Sequence, residues 1–545
     1  MVDILAILKQ ILAKRGRCGQ FIERQSQLLY EWKAWYQGYV QEFHKYKIPT
    51  GQGDLVDKVK MYLSMAKRSC EDYANLLLNE KCDIVIPEQP KKILDAILNK
   101  TQFWSKGNAL VEKTFALGNG AFVENVVDLI VNENGVIVDK SKAKITISTI
   151  DAEKIYPITF DDGKMVEVAF VYDNTTEIIF QIHLIDKQEY LEDGRLNPNF
   201  GNYDIITEVY EKNAINLNVK NLPDKSYTFQ TGSPIAWFQA IKPNIVNNID
   251  IDSPLGISSF ANAISSLKSI DNTYDSLNNE IELGRKRIVA STEMINVDPT
   301  TGKNVNAFDP KDIVFYKISK NSVDDKPLFQ EVNGELRVDQ IVNALNWQLN
   351  IFSSKIGLGN NYYKFTQEQG IQTATAVVSQ YSDLFRSIKK HEIVLESALR
   401  NLTKAIIYIS NEFTTTPLGS IGDKDITIQF DDSIIEDKEA QKLSDRQDLL
   451  NGTMSKVEYR MKWYGEDEDT ATKQLAKFTT NGIDTKINAL LAALQSKAIT
   501  PSMFVQIVYG DLVNEKQKTE LINYINESFQ SQNGIDASML NNFGF

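Results

Sequence analysis

Cysteine and histidine are scarce in this chain. Cys18, Cys70 and Cys82 are odd in number and show no CxxC spacing. They argue against a disulfide framework or a zinc site and for a reducing compartment. His44, His183 and His391 lie far apart and read as satisfied structural side chains rather than a metal or triad site. Long apolar runs are missing too. The start, "MVDILAILKQILAKRGR", is interrupted by Asp3 and Lys9 and reads as an amphipathic helix, not a signal peptide. No window approaches the roughly 20 apolar residues of a membrane span, so the expectation is a soluble chain, intracellular at synthesis.

Phosphate loops are absent as well. There is no GxGxxG and no Walker spacing, and the Gly-Lys pairs at 163–164 and 302–303 lack the upstream glycine and the following Ser or Thr. No Ser-His-Asp or paired-carboxylate motif is recognisable. The acidic runs "FDDSIIEDKEAQ" and "YGEDEDTA" lack EF-hand spacing and read as solvated helix starts. Net positive charge is lacking: 59 Lys and Arg face 72 Asp and Glu, for a formal charge of −13. That balance opposes tight wrapping of nucleic acid, which rests on many phosphate contacts. It does not oppose a polyanion sliding past.

What is present is a globular composition, 42% hydrophobic and 24% charged, in 545 residues, enough for three or four structural units. Residues 20 to 80 carry helical signals. "EWKAWYQGYVQEFHKY" places Trp32, Trp35, Tyr36, Tyr39 and Phe43 near helical spacing, and "MYLSMAKRSCEDYANLLLNE" repeats the pattern. From about residue 115 the period changes to two. Hairpin dipeptides stand at Asn134-Gly135 and Asp162-Gly163. The expected unit is α+β, an antiparallel sheet packed on the N-terminal helices.

Three long helical patterns follow. The first begins with Ser253 as cap and Pro254 in the first turn, closes at Gly284, and is about 46 Å long if unbroken. The second runs from about 336 to 356, after short strands between 286 and 335. The third, from about 373 to 413, spans about 60 Å if straight. A strand-like "DITIQFDDSII" precedes a helical C-terminal region from 436. Beside its apolar seam the first helix carries Asn262, Ser265, Ser269, Asn272, Ser276 and Asn279, with Lys268, Asp271, Asp275 and Glu282 on another side. The second carries Asn343, Asn346, Asn350 and Ser353. Two readings stay open for these neutral polar stripes. One is close helix packing with a solvated face. The other is a channel wall that offers a polyanion only weak, repeated contacts.

Between the second and third helices lies "GLGNNYYKFT". As a loop it can leave the helix tightly at Gly357 and Gly359. Asn360, Asn361 and Lys364 suit light phosphate contact, whereas Tyr362 and Tyr363 suit anchoring to helices, because a duplex hides its base faces. A plain connector is the alternative. The densest basic run, "GRKRI", holds Arg285, Lys286 and Arg287. It complements a helix C-terminus or faces passing phosphates.

Six stretches, in order, carry a family resemblance: "WKAWYQGYVQEFHKY", "AKRSCEDYANLLLNEK", "ALGNGAFVE", "IKPNIVNNIDIDSPLGISSFANA", "YDSLNNEIELGRKRI" and "GTMSKVEYRMKWYGEDEDTA". Collinear from about residue 30 to 475, they resemble the portal proteins of tailed bacteriophages of Gram-positive hosts. The last seventy residues match loosely, and the "GLGNNYYKF" loop matches least.

The resemblance implies a portal fold assembled as a homo-oligomeric ring, usually a dodecamer, at one capsid vertex. Residues 1–253 would form the wing, 254–285 the first stem helix, 286–335 the clip and 336–356 the second stem helix. Residues 357–372 would be the tunnel loop, 373–435 the long wing helix with a returning strand, and 436–545 a helical crown. The implied channel passes double-stranded DNA during packaging and ejection. Its DNA-facing residues would be Asn360 to Lys364 in the loop, Arg285, Lys286 and Arg287 at the stem–clip junction, and the Asn/Ser stripe of the first stem helix. Implied partners are the terminase large subunit, the major capsid and scaffolding proteins and a head-tail connector, with no membrane, cofactor or metal. The place is the virion, with assembly in the host cytoplasm. The terminase, not this chain, would be the ATPase. The alternatives are a nucleic-acid enzyme, such as a nuclease or ATPase, and a head-tail adaptor ring without a DNA conduit.

Overall fold

The computed structural model describes residues 4–19, 23–49, 55–79, 82–131, 137–190, 193, 195–212, 219–283, 287–291, 296–297, 300, 304–305, 315–318, 329–332, 335–364, 374–430 and 438–480. Beyond these it describes 490, 492–494, 496, 499–509, 518–519, 522–523 and 525–526. The architecture is α+β, in two compact units, residues 1–435 and 436–545.

The first unit opens with α1 (Ile4–Ala13), α2 (Glu23–Tyr36) and α3 (Gln41–His44). A hairpin of β1 (Lys45–Pro49) and β2 (Leu55–Val59) follows, then α4 (Met65–Leu77), β3 (Asp83–Val85), α5 (Glu88–Lys100) and α6 (Phe103–Leu117). The helical pattern expected over 31–46 is therefore broken. Gly38 takes φ 88°, and a Cβ there would lie 2.6 Å from Ser64 Oγ, so the chain turns away at that glycine, makes the one turn of α3 and continues as β1.

The β-rich region contains β4 (Gly120–Val127), β5 (Ile130–Val131), β6 (Ile137–Asp139), β7 (Lys144–Asp151), β8 (Ile155–Asp161), β9 (Lys164–Asp173) and β10 (Glu177–Ile185). It continues with β11 (Tyr203–Lys212), β12 (Val219–Asn221), β13 (Tyr227–Gln230) and β14 (Phe238–Ile241). One antiparallel sheet has the order β12-β11-β10-β9-β8 with β13 also on β11, and a second has the order β14-β4-β7. The Asp162-Gly163 dipeptide closes β8 onto β9, with φ of 45° and 73°, the positive pair that a two-residue hairpin needs. The expected turn at Asn134-Gly135 lies outside the described residues; β5 and β6 on either side of it pair antiparallel.

Alternation along the strands makes both faces of the large sheet apolar. Ile7, Leu8, Ile11 and Leu12 of α1 cover one face, against Ala169, Val171, Phe180 and Ile182. Val168 and Phe170, one residue out of phase, pack on Ala121, Val123 and Phe238 of the second sheet.

Then come α7 (Ile264–Leu283), the short strands β15 (Arg287–Ser291), β16 (Asn296–Val297), β17 (Asn304–Val305), β18 (Phe315–Ile318) and β19 (Phe329–Val332), and α8 (Val338–Ile356). The order β18-β15-β19 forms one small sheet. The unit ends with α9 (Ala374–Phe413), 40 residues or about 60 Å long, and β20 (Thr427–Gln429), which pairs with β3. The main core joins α2, α4, α6, α7, α8 and α9. The second unit contains α10 (Lys438–Asn451), α11 (Lys456–Tyr464), α12 (Glu468–Thr480) and α13 (Pro501–Tyr509). A reciprocal Ser455–Glu458 capping box starts α11.

Two buried titratable groups depart from expectation. His183, read as a satisfied histidine, has no hydrogen-bond partner on either nitrogen and lies edge-on to Phe170 and Phe238. Burial drives its pKa down to about 3, so it sits there neutral, as a flat apolar filler. Glu124, fully buried on β4, makes no hydrogen bond of normal geometry through either carboxylate oxygen. Burial pushes its pKa well up, only partly offset by backbone and Gln239.

The folded chain therefore holds the Glu124 proton more tightly than the unfolded one. The cost of this residue is absent below the ordinary carboxylate range and grows as pH rises through it. Glu124→Met is expected to stabilise the chain by about 1–3 kcal/mol at neutral pH, with the gain shrinking toward about pH 4. Urea unfolding at both pH values checks this; a gain independent of pH contradicts it.

Candidate functional site

At one joint between the long helices and the rest of the first unit two backbones meet at glycines. Gly118 ends α6 in the left-handed region at φ 83°. Its carbonyl meets the backbone of Gly256 so closely that a Cβ on Gly256 would stand 2.1 Å from Gly118 O. Asn119 reads the Gly256 peptide in both directions, accepting from its N–H at 3.1 Å and donating to its C=O at 3.5 Å. Next along the chain, Ser259 N–H donates to Phe115 O at 2.8 Å.

These contacts hold residues 254–260 as non-helical chain. The helix expected from Ser253 therefore starts at Ile264, after a 3-10 turn at Ala261–Ala263, and is about 30 Å long instead of 46. Ser253 does not cap it; its Oγ accepts from Leu255 N–H at 3.4 Å.

One side of α7 is clamped by the β1–β2 hairpin and the segment after it. Asp271 accepts from Leu63 N–H at 2.9 Å and from His44 Nε2 at 3.2 Å. His44 Nδ1 lies 2.8 Å from Val40 N and 3.1 Å from Val40 O, so both ring nitrogens are engaged. Asp275 accepts from Met61 N–H at 3.0 Å and Tyr46 Oη at 3.3 Å. Both aspartates are buried, and burial holds the Asp271 carboxyl above the usual range. The clamp was not foreseen. Its signal was an i, i+4 pair of aspartates beside the buried Leu267 and Ile270, where a solvated face would not be.

The Asn/Ser stripe, with Asn262 in the 3-10 turn and the rest on α7, is exposed or half-exposed throughout, but much of it is engaged within the chain. Asn262 exchanges hydrogen bonds with Asn248, Ser265 accepts from Lys355, and Ser276 back-bonds to Asn272 O. Lys60 reaches Asn272 at 2.8 Å, and Lys58 reaches Asn279. Ser269 is half-exposed. Two lysines of the hairpin therefore stand over a helix face that carries no cation of its own at those positions.

The loop after α8 is anchored at its root. Gly357 caps the helix at φ 92°, and Leu358 N–H returns to Ser353 O at 3.0 Å. Asn361, at φ 65°, exchanges side-chain and backbone hydrogen bonds with Asn350. Tyr73 Oη donates to Ile356 O. Tyr363 packs near Phe352 and donates to Asp72 Oδ2 at 2.7 Å. Burial raises the Asp72 carboxyl despite Tyr363 and Arg68 beside it. Tyr362 packs against Tyr363 and the main core. Asn360 and Lys364 are exposed. The rest of the expected loop, 365–372, lies outside the described residues, as do Arg285 and Lys286; Arg287 begins β15.

No group of three or more metal-ligating side chains occurs among the described residues, and no described helix is long and apolar enough to cross a membrane. A recess of about 410 Å³ between the β8–β9 turn, β14 and α9 has Lys164 and Lys242 as its charged lining, with no carboxylate or histidine. It holds no acid–base pair.

A family described as "Phage portal protein, SPP1 Gp6-like" matches residues 22–477. No curated protein matches the chain. Among solved structures, a chain from the "Neck of native GTA particle computed with C12 symmetry" is 9% identical with a TM-score of 0.31, covering 72% of this chain and 88% of that one.

Tyr363→Phe removes a donor from a buried carboxylate and is expected to cost about 1–3 kcal/mol. Limited trypsin cleavage at Lys364 should accelerate at least severalfold as the loop root loosens. Unchanged stability and cleavage would contradict the anchoring role.

Proposed function

The chain belongs to the SPP1 Gp6-like phage portal proteins, and from that premise we propose that it assembles into a ring at one capsid vertex and lines a channel for double-stranded DNA. The observation that carries this reading is the match over residues 22–477, which takes in the hairpin clamp, both helices α7 and α8, and the loop between α8 and α9. In this reading residues 1–253 and 373–435 form the wing, α7 and α8 the stem, 286–335 the clip, 357–372 the tunnel loop and 436–545 the crown.

The chain acts as a structural component of the phage particle and not as an enzyme. Its contacts with DNA are weak and renewable. Neutral Asn and Ser groups of α7 supply hydration without deep electrostatic wells. Asn360 and Lys364 are the exposed polar groups among the loop's described residues, while Asn361, Tyr362 and Tyr363 set its root. Arg285, Lys286 and Arg287 complete the basic contribution at the stem–clip junction. The terminase large subunit, major capsid and scaffolding proteins and a head-tail connector are the partners of such a ring, in a dodecamer assembled in the host cytoplasm.

Imaging of the purified chain together with native mass tests this reading. Rings of uniform stoichiometry with a central hole that admits a duplex are expected. A closed dimer that persists on dilution would overturn it, and magnesium-dependent ATP or DNA hydrolysis by the chain alone would favour an enzyme.

A further inference from the structure

The hairpin β1–β2 is a two-stranded ribbon that pairs with no other described strand, an arrangement marginally stable by itself. Its register places Tyr46 and Lys58 on the α7 side, and Lys45, Lys47, Leu55, Asp57 and Val59 on the other. That outer face is open and mixed: the Lys45–Asp57 ion pair and Lys47 stand beside exposed apolar side chains. Leu55 is 64% exposed, Val59 49%, and Met61 just beyond them 51%.

A second uncovered apolar surface lies on α8. Its buried ridge is Leu345, Leu349, Phe352 and Ile356, and away from it stand Trp347, 69% exposed, and Ile351, 42%. An indole left this open on a regular, well-packed helix is the type of side chain that anchors protein contacts. The two patches differ in charge. Lys45 and Lys47 outnumber Asp57 on the ribbon, whereas Glu335 and Asp339 are exposed around the start of α8 and the nearby Arg337 is already held by Glu280.

The ribbon meets α7 through Asp271, Asn272, Asp275 and Asn279, and α8 meets it elsewhere, with Arg337 on Glu280 and Lys355 on Ser265. The patches therefore lie on different elements of one protomer, the β1–β2 ribbon and α8. We infer that the occupant of each is a second copy of this chain: the outer face of the β1–β2 ribbon, centred on Val59, seats on the Trp347 face of α8 in the neighbouring protomer. Each protomer gives one surface and receives the other, the head-to-tail contact that closes into a ring. This inference rests on the ring assembly proposed above and names the surface that builds it.

The test uses two full-length chains, both with the exposed Cys18 replaced by Ser, one carrying Val59→Cys and the other Trp347→Cys; the remaining cysteines are buried. After mixing under assembly conditions, a short bis-maleimide should give covalent dimers only when both chains are present. Trp347→Glu should raise the concentration for half-assembly about tenfold or more while leaving the melting temperature of the unassembled chain unchanged. Rings that form with wild-type concentration dependence in Trp347→Glu, without Val59–Trp347 cross-links, place the contact elsewhere and leave the ring intact. A folded wild-type chain that never assembles removes the ring itself. Loss of duplex binding in Lys45→Glu/Lys47→Glu with unaltered assembly would assign the ribbon to nucleic acid and overturn the inference.

Discussion

The close approach of two backbones at Gly118 and Gly256 is the constraint on which the first unit depends. A β-carbon on either glycine would collide with the opposite peptide, and Asn119 fixes the contact by pairing with both polar groups of Gly256. The contact joins the end of α6, and with it the sheet that begins at β4, to the segment that launches α7. Phe115 extends the joint, since its carbonyl receives Ser259 and its ring stacks on Tyr73 at 4.6 Å. Tyr73 in turn bonds the last carbonyl of α8 and meets His391 of α9 edge-on. One joint therefore makes contact, directly or through Phe115 and Tyr73, with all three long helices.

The proposed channel requires long helices held in fixed register beside a passing polyanion. Buried carboxylates do the holding here. Asp72, Asp271 and Asp275 each accept from groups on other elements, so the α8–α9 loop root and the β1–β2 hairpin are tied by hydrogen bonds in partly dry surroundings, where such bonds are strong and an unpaired partner is costly. The neutral stripe of α7 is left with small polar groups. The cations that bond it come from other elements: Lys58 and Lys60 from the hairpin and the residue after it, and Lys355 from α8.

Periodicity made α8 and α9 legible within two residues, because each keeps one apolar face over several turns without a competing long-range contact. The Asp162-Gly163 hairpin was legible for the same local reason. The start of α7 was not. Its pattern runs back to Ile257, but Gly256 and Ser259 are committed to Gly118 and Phe115, more than a hundred residues away in sequence. The β1–β2 hairpin was hidden too. Tyr46, Lys58 and Lys60 face acids and amides of α7, so the strands lack the apolar alternation of a half-buried sheet. In the loop, Tyr362 and Tyr363 were readable as anchors from their chemistry, whereas the partner Asp72 could be found only in three dimensions.

The most direct measurement is hydrogen exchange on Asn119→Ala, which removes both side-chain bonds to Gly256 and keeps the two glycines. If the joint governs the long helices, amides of α7 and of residues 357–363 lose protection together, by about tenfold for each 1.4 kcal/mol of coupling. Loss of protection confined to residues 118–121 and 254–258, with α7 and the loop root unaltered, would contradict the account.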